Sequence, residues 1–272
     1  TRYLLVSWAR DVYKRQCLYY ARAVDPTILP ALNEISYSQA SPTTTTLSKC
    51  NQLMDYLHTH PSAKLRFYKS DMCLHIDTDA AYLVAPEAKS RIAGYYYLSN
   101  KLQSPSQSTL TSNPPPLNAP IHVECKTLKH VVSSAAEAET GGIYSNCSFS
   151  IQLRHMLTTL DHPQGPTPIK TDNKTAAAFV HKTIKTKRSK SWDMRYFWLH
   201  DRVSQAQFFI YWDKGSNNHV DYFTKHWSPT YHQKMRPTYI LKGNVLQLQI
   251  NMLPTAHLRG CVENPIRRAL NI

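Results

Sequence analysis

The sequence predicts a mixed α/β fold for a basic chain of 272 residues. Apolar residues at helical spacing dominate the first part of the chain, alternating apolar and polar residues then indicate strands, and both patterns recur further on. A hydrophobic content of 42% is enough to bury the core of one large or two small domains. The 32 Lys and Arg residues against 18 Asp and Glu give a formal net charge of +14, which favours a polyanionic partner such as nucleic acid.

Cysteine usage and hydropathy narrow the class of protein. The six cysteines follow no regular spacing and form no C-x-x-C, which favours free thiols over a disulfide framework or a zinc site. No apolar run approaches the roughly 20 residues of a membrane span, and no secretory leader opens the sequence. We therefore expect an intracellular protein without a membrane partner.

The N-terminal part of the chain predicts helices. Residues 1–16 are left out of the fold prediction, because the segment DVYKRQ within them resembles a translated transposase adapter of sequencing libraries. From Cys17 the apolar spacing and the Pro breaks favour a small helical segment that ends at residue 64. Its three helices are expected near residues 18–24, 28–35 and 43–60.

Residues 65–128 predict an antiparallel meander of three strands. The strands are expected within residues 65–77, 92–98 and 121–123, where apolar and polar residues alternate or aromatic residues cluster. A loop rich in Ser and Pro, residues 103–119, separates the second strand from the third.

Helices and strands alternate from residue 134 onward. Ser134 and Glu137 form a capping-box pattern that opens a helix to about Leu160. The elements expected after it are a strand at residues 168–172, helices from residue 174 and over 192–203, an aromatic strand at 208–212 and a short helix at 217–225. Residues 227–272 lack sustained periodicity, so we expect a C-terminal tail after an α/β domain of residues 65–226.

Four acidic residues have local settings that suit metal ligands, namely Asp77, Glu139, Asp172 and Asp221. Asp77 and Asp172 each end a predicted strand, so their carboxylates emerge at one edge if those strands are neighbours. Glu137 and Glu139 are about 200° apart around a helix axis, so they cannot both point toward the site. Because Glu137 belongs to the capping box, Glu139 is the candidate ligand. Asp221 follows the aromatic strand and can close the cluster. Such carboxylate sites select hard ions such as Mg²⁺ or Mn²⁺.

Ordinary alternatives exist for these acids. Asp79, the acidic neighbour of Asp77, can be a solvated turn residue. Asp172 can be the N-cap of the helix that starts at Lys174, and Asp221 can be an i,i+4 partner of Lys225. Composition and spacing alone therefore indicate a basic mixed α/β protein, with a metal-dependent nuclease as one option.

Six segments of the chain carry recognisable motifs. They are residues 77–80 (DTDA), 90–95 (SRIAGY), 133–139 (SSAAEAE), 171–176 (TDNKTA), 189–196 (SKSWDMRY) and 221–225 (DYFTK). In this order they resemble the RNase H region of copia-type LTR retrotransposon Pol polyproteins. Residues 17–64 similarly resemble the connection between reverse transcriptase and RNase H.

The resemblance implies an RNase H-like fold, in which helices flank a five-stranded mixed sheet. It implies that Asp77 bridges two Mg²⁺ ions, for which Mn²⁺ can substitute, that Glu139 and Asp172 bind one ion, and that Asp221 binds the ion carrying the attacking water. The implied activity is hydrolysis of the RNA strand of RNA:DNA hybrids during reverse transcription. The implied partners are the hybrid and the reverse transcriptase domain of the same polyprotein, in cytoplasmic retrotransposon particles.

Two further features bear on this expectation. The basic residues Lys182, Lys185, Lys187, Arg188 and Lys190 lie between two predicted helices, where they can grip the DNA strand of a hybrid or simply form a solvated linker. Many RNase H enzymes also place a mobile histidine ahead of the last aspartate. Residues 213–216 hold none, and His219 is expected to point away from Asp221.

A second hypothesis belongs to a different class. The chain can be a catalytically silent RNase H-like module, which binds nucleic acid or persists as a structural remnant of a Pol polyprotein. The presence of all four acids favours the enzyme, and a cleavage assay discriminates between the two hypotheses.

Overall fold

A computed structural model describes residues 15–102, 116–180 and 190–241, apart from the side chains of residues 179 and 190–193. Five strands form one sheet in the order β3-β2-β1-β4-β5. Their bounds are β1 Cys73–Ala85, β2 Lys89–Ser99, β3 Pro120–Thr127, β4 Thr167–Thr171 and β5 Phe208–Trp212. β1, β2 and β3 are antiparallel neighbours, while β4 runs parallel to β1 and β5 runs parallel to β4.

Eight helices surround this sheet in the described part of the chain. The first, α1, covers residues 15–23. The others are α2 Leu29–Tyr37, α3 Thr44–Thr59, α4 Ala135–Thr159, α5 Lys174–Val180, α6 Lys190–Ser204, α7 Asp221–Thr224 and α8 Pro229–Tyr239. The predicted fold class, a five-stranded mixed sheet flanked by helices and preceded by a helical segment, is confirmed. No helix in these ranges has the length and apolar character that a membrane crossing requires.

The two faces of the sheet bury different cores because successive strand residues point to opposite sides. Tyr96 joins Ile76, Ile143 and Leu199 in the core beneath α4, α5 and α6. Tyr95 and Tyr97 lie in the opposite core, with residues of α1, α2, α3, α7 and α8. Burial of such a large apolar side chain contributes about 1.5–3 kcal/mol, so both helical layers stabilise the sheet.

Helix α4 is held firmly against β2. The Ser134 hydroxyl accepts a hydrogen bond from the Glu137 backbone N–H and so caps the helix. Further along, the Asn146 amide donates to the Ala93 carbonyl oxygen at 2.9 Å and accepts from the Tyr96 hydroxyl at 2.9 Å. A Cβ atom at Gly94 would lie 2.5 Å from Asn146 Oδ1, so only glycine permits this close approach.

Two segments differ from the expectation. The first strand was expected to begin near residue 65, but β1 begins at Cys73, after Met72 adopts a φ of 58° that interrupts the extended chain. Residues 227–241, expected to belong to a tail, contain α8. Its apolar residues Tyr231, Met235 and Tyr239 have helical spacing, but the helix covers only 11 residues and contains an internal proline.

Candidate metal centre

Asp79 and Asp172 come together because β1 and β4 are parallel neighbours. The register pairs Ile76 with Ile169 and Asp77 with Lys170. Two residues further along each strand are Asp79 and Asp172, and side chains two residues apart in a strand share a face. Both carboxylates therefore emerge on the same side of the sheet, Asp79 from the middle of β1 and Asp172 directly after the end of β4.

Helix α4 brings a third carboxylate to this edge. Glu139 lies in its second turn and is 5% exposed. The Ala80 backbone N–H donates to Glu139 Oε1 at 3.1 Å, while Oε2 is buried without a hydrogen-bond partner. One oxygen from each of Asp79, Glu139 and Asp172 lies within 4.8 Å of the other two, which is a spacing that can hold a metal ion.

Asp221, the first residue of α7, lies beside this group rather than within it. Its carboxylate contacts the Lys225 ammonium one turn later, as the i,i+4 alternative anticipates. The negative charge of Asp221 nevertheless reaches the group, since it raises the pKa of Asp79.

The electrostatics of the group favour a bound cation. Burial, together with the charges of Asp221 and Asp172, raises the pKa of Asp79 to about 7, although the hydrogen bond from Thr224 lowers it. Burial, followed by the charges of Asp79 and Asp172, raises the pKa of Glu139 well above its usual value. Carboxylates placed this close repel one another until protons or cations neutralise them. The unpartnered Glu139 oxygen and the all-oxygen donor set therefore fit a hard divalent ion.

The structure places Asp77, which the resemblance implies as the metal bridge, outside the group of three carboxylates and against Lys170. Its Oδ2 lies 2.5 Å from Lys170 Nζ, and both side chains are buried. The Tyr97 hydroxyl donates to Asp77 Oδ1 at 3.5 Å, and Lys170 Nζ also donates to the Asn217 carbonyl oxygen at 3.2 Å. The motif at residues 77–80 (DTDA) contains two aspartates. Because of the strand register, Asp79 rather than Asp77 lies beside Glu139 and Asp172.

Two residues for which the sequence predicted no individual role support Asp79. The Asn218 amide donates to Asp79 Oδ1 at 3.0 Å, and the Thr224 hydroxyl donates to Asp79 Oδ2. Lys225 contacts Asp221 instead, as the i,i+4 spacing predicts. Thr224 and Lys225 belong to the motif at residues 221–225 (DYFTK), so this motif could have indicated them. No local sequence pattern indicated Asn218.

The loop between β5 and α7 places no histidine at the carboxylates. His219 is partly buried, and its pKa is lowered by burial and by the charge of Lys170, while Asp77 raises it. His219 therefore lies near the Asp77–Lys170 pair, and its side chain is partly buried rather than fully exposed. Gly215 of the same loop lies close to Asp172, since a Cβ atom there would lie 3.3 Å from Asp172 Oδ2.

The predicted nucleic-acid contacts lie mostly outside the described residues. This applies to Lys182, Lys185, Lys187 and Arg188, and Lys190 begins α6 without a described side chain. Their role stays a prediction.

Comparisons with known proteins find likenesses of structure only. No protein-family model matches the chain, and no curated protein matches it. The N-terminal RNase H domain of a Mycobacterium tuberculosis protein is 10% identical with a TM-score of 0.39, and the match covers 61% of this chain and 97% of that one. LC11-RNase H1 in complex with an RNA/DNA hybrid is 10% identical with a TM-score of 0.38, and the match covers 55% of this chain and 92% of that one. The prototype foamy virus protease-reverse transcriptase is 11% identical with a TM-score of 0.32, and the match covers 65% of this chain and 22% of that one.

Proposed function

We propose that this protein is a metal-dependent ribonuclease of the RNase H type, which hydrolyses the RNA strand of RNA:DNA hybrids. The observation that carries the proposal is the convergence of Asp79, Glu139 and Asp172 within 4.8 Å at one sheet edge, with Asp221 beside them. The order of the six sequence motifs supports the same reaction class.

The residues at this edge have distinct roles in the proposal. Asp79 from the middle of β1 and Asp172 from the end of β4 would hold the ions, and Glu139 offers the oxygen that the hydrogen bond from Ala80 leaves free. Asn218 and Thr224 orient Asp79 by donating to its two oxygens. Two divalent ions at such a site supply activation of a water molecule and stabilisation of the leaving oxygen. Mg²⁺ is the proposed ion, with Mn²⁺ as a substitute.

The charge distribution supports a nucleic-acid substrate. Four of the 18 acidic residues gather in one place, while the chain as a whole carries a formal net charge of +14. A basic surface attracts a polyanion, and its phosphates reach the acid cluster only when cations neutralise the carboxylates. Selection of RNA would use 2′-hydroxyl contacts across the minor groove of the hybrid.

We place this activity in a copia-type Pol polyprotein, on the strength of the six motifs. In that setting residues 17–64 connect the ribonuclease to the reverse transcriptase domain, which presents the hybrid. The proposed location is the retrotransposon particle in the cytoplasm.

A cleavage assay tests the proposal. The protein is incubated with end-labelled RNA:DNA hybrid, duplex DNA or duplex RNA of one sequence, in Mg²⁺, Mn²⁺ or a chelator. We expect cleavage of the RNA in the hybrid alone, dependent on the metal and abolished by Asp79→Asn. The matched control is Asp55→Asn, at an exposed acid on α3. If the unmodified protein binds the hybrid but cuts nothing in either metal, the silent binding module replaces the enzyme.

A further inference from the structure

Lys225 is a cation already present beside the acid cluster. Its ammonium contacts the Asp221 carboxylate, and its side chain is 47% exposed, so it can leave this position without unfolding the protein. Its charge also reaches further, since it lowers the pKa of both Asp79 and Glu139. Lys225 also interacts with the charge of Asp172, so one side chain acts electrostatically on all four carboxylates.

An aromatic pair borders Lys225 on its other side. The ammonium lies 5.8 Å from the centre of the Trp227 ring, and the Trp227 and Tyr231 rings lie 4.1 Å apart. A cation at this distance is attracted to the electron-rich face of an indole. From its position at the Asp221 carboxylate, the Lys225 ammonium is thus also within reach of an aromatic surface that attracts cations.

Asp221 has a cationic partner, whereas the close group of three carboxylates contains an oxygen without any hydrogen-bond partner. Asp79, Glu139 and Asp172 form the close group, in which the buried Glu139 Oε2 has no partner. Asp221 lies outside that group and is paired with Lys225. A divalent ion can join the first three acids directly, whereas an ion at Asp221 must first displace the ammonium or accept repulsion from it.

We propose that Lys225 competes with a divalent ion at Asp221, and that the phosphates of bound nucleic acid relieve this competition by drawing the ammonium away. This inference rests on the proposed metal centre. It makes Lys225 a positioning residue that links occupancy of the Asp221 side to the presence of substrate. The free protein then holds one ion tightly, and binding at Asp221 is weak until a polyanion is bound.

Mn²⁺ binding without nucleic acid tests the inference, because electron paramagnetic resonance counts the free ion directly. The variant Lys225→Met keeps the length of the side chain and removes its charge, while Lys225→Arg keeps the charge. Lys214→Met is the matched control, since it removes another exposed lysine from the neighbouring loop. Thermal melts of all variants in chelator verify that each is folded.

We expect Lys225→Met to tighten the weaker Mn²⁺ dissociation constant by about tenfold, which corresponds to about 1.4 kcal/mol. Lys225→Arg and Lys214→Met should leave both constants unchanged. Duplex DNA, which the proposed activity leaves uncut, should tighten the weaker constant in the unmodified protein and have less effect in Lys225→Met. Unchanged constants in Lys225→Met would overturn the inference. Failure of the unmodified protein to bind any Mn²⁺ would instead remove the metal centre, so the two failures are distinguishable.

Discussion

Asp77 and Asp79 lie two residues apart on the same face of β1, but their surroundings give them different roles. Asp77 is enclosed by Lys170 and Tyr97, so it is a buried ion-pair partner. Asp79 faces Glu139 and Asp172, where like charges accumulate. The difference arises from a step of two residues along one strand, which is about 7 Å.

Substitution separates the two roles. Asp77→Ala leaves the buried Lys170 ammonium without its partner, and we expect the free energy of unfolding in urea to fall by about 3–5 kcal/mol. Asp79→Asn removes one of the repelling carboxylates, so we expect no loss of stability but a decrease in hybrid cleavage of about 100-fold or more. An Asp77→Ala protein as stable as the unmodified one would contradict the assignment of the ion pair.

The raised pKa of Asp79 predicts a pH-dependent effect of Mg²⁺ on stability. In the metal-free protein this carboxyl keeps its proton up to about pH 7, whereas the unfolded chain releases it near its ordinary value of 3.8. The folded state binds more protons in this window, so the free energy of unfolding decreases as pH rises from about 4 to about 7. We expect Mg²⁺ to raise the melting temperature more at pH 8 than at pH 5.

Thermal melts in Mg²⁺ and in chelator measure this difference across the pH range. Asp79→Asn serves as the control, because its side chain does not titrate and the difference between the two pH values should shrink. A Mg²⁺ effect of equal size at both pH values would argue against a protonated carboxyl in the metal-free cluster.

At the scale of elements, α8 closes the core that supports α7. Tyr239 is 4% exposed, and its ring lies 5.1 Å from that of Phe223 and 6.0 Å from that of Tyr95. Its hydroxyl also donates to the His219 carbonyl oxygen, at the end of the loop that leads into α7. The position of Asp221 therefore depends on a helix beyond the last motif.

Truncation of this ring tests the dependence. We expect Tyr239→Ala to lower the free energy of unfolding by about 3–5 kcal/mol, and to lower cleavage at temperatures where the variant is still folded. Tyr19→Ala is the control, since Tyr19 is 71% exposed, and a surface substitution usually changes stability by less than about 0.5 kcal/mol. Equal stability of the two variants would show that α8 is dispensable to the core.

Polar contacts join helix α2 of the N-terminal segment to the same region. The Arg91 guanidinium donates to the Thr224 carbonyl oxygen at 3.4 Å and contacts His226 Nε2 at 3.3 Å. His226 in turn lies 2.7 Å from Glu34 on α2. Because α2 also packs apolar residues against the sheet, the segment 17–64 is structurally continuous with the candidate site.

For the whole molecule, the net charge predicts that hybrid binding weakens with salt. Four neutral substitutions in the basic segment, at Lys182, Lys185, Lys187 and Arg188, should make the slope of log affinity against log salt less steep. The expected decrease is about 0.7–0.9 for each phosphate that the altered segment no longer neutralises. Binding titrations at several salt concentrations measure this slope.

The control for this experiment removes the same charge elsewhere. Gln at Lys64, Lys69, Lys101 and Lys234 gives an equal net charge from exposed positions. An equal decrease of the slope in both proteins would favour the solvated-linker interpretation, in which only the total charge matters.

Local pattern was enough to predict the main helices and strands, because apolar periodicity reports which side of an element is buried. The choice of Glu139 over Glu137 also followed from helix geometry, and the structure places Glu139 beside Asp79 while Glu137 binds Ser133. Short or irregular elements were harder. Helix α8 presents three apolar positions, too few for a reliable pattern.

By itself, the sequence determined the fold class, the acidic residue types at the sheet edge and the basic character of the chain, since these follow from composition and local spacing. The tertiary structure alone decided that Asp79 rather than Asp77 joins Glu139 and Asp172. That outcome depends on the register between β1 and β4, whose paired residues lie more than 90 positions apart in the chain. The same applies to Asn218 and Thr224, whose hydrogen bonds to Asp79 form only when α7 and the loop before it pack onto the sheet.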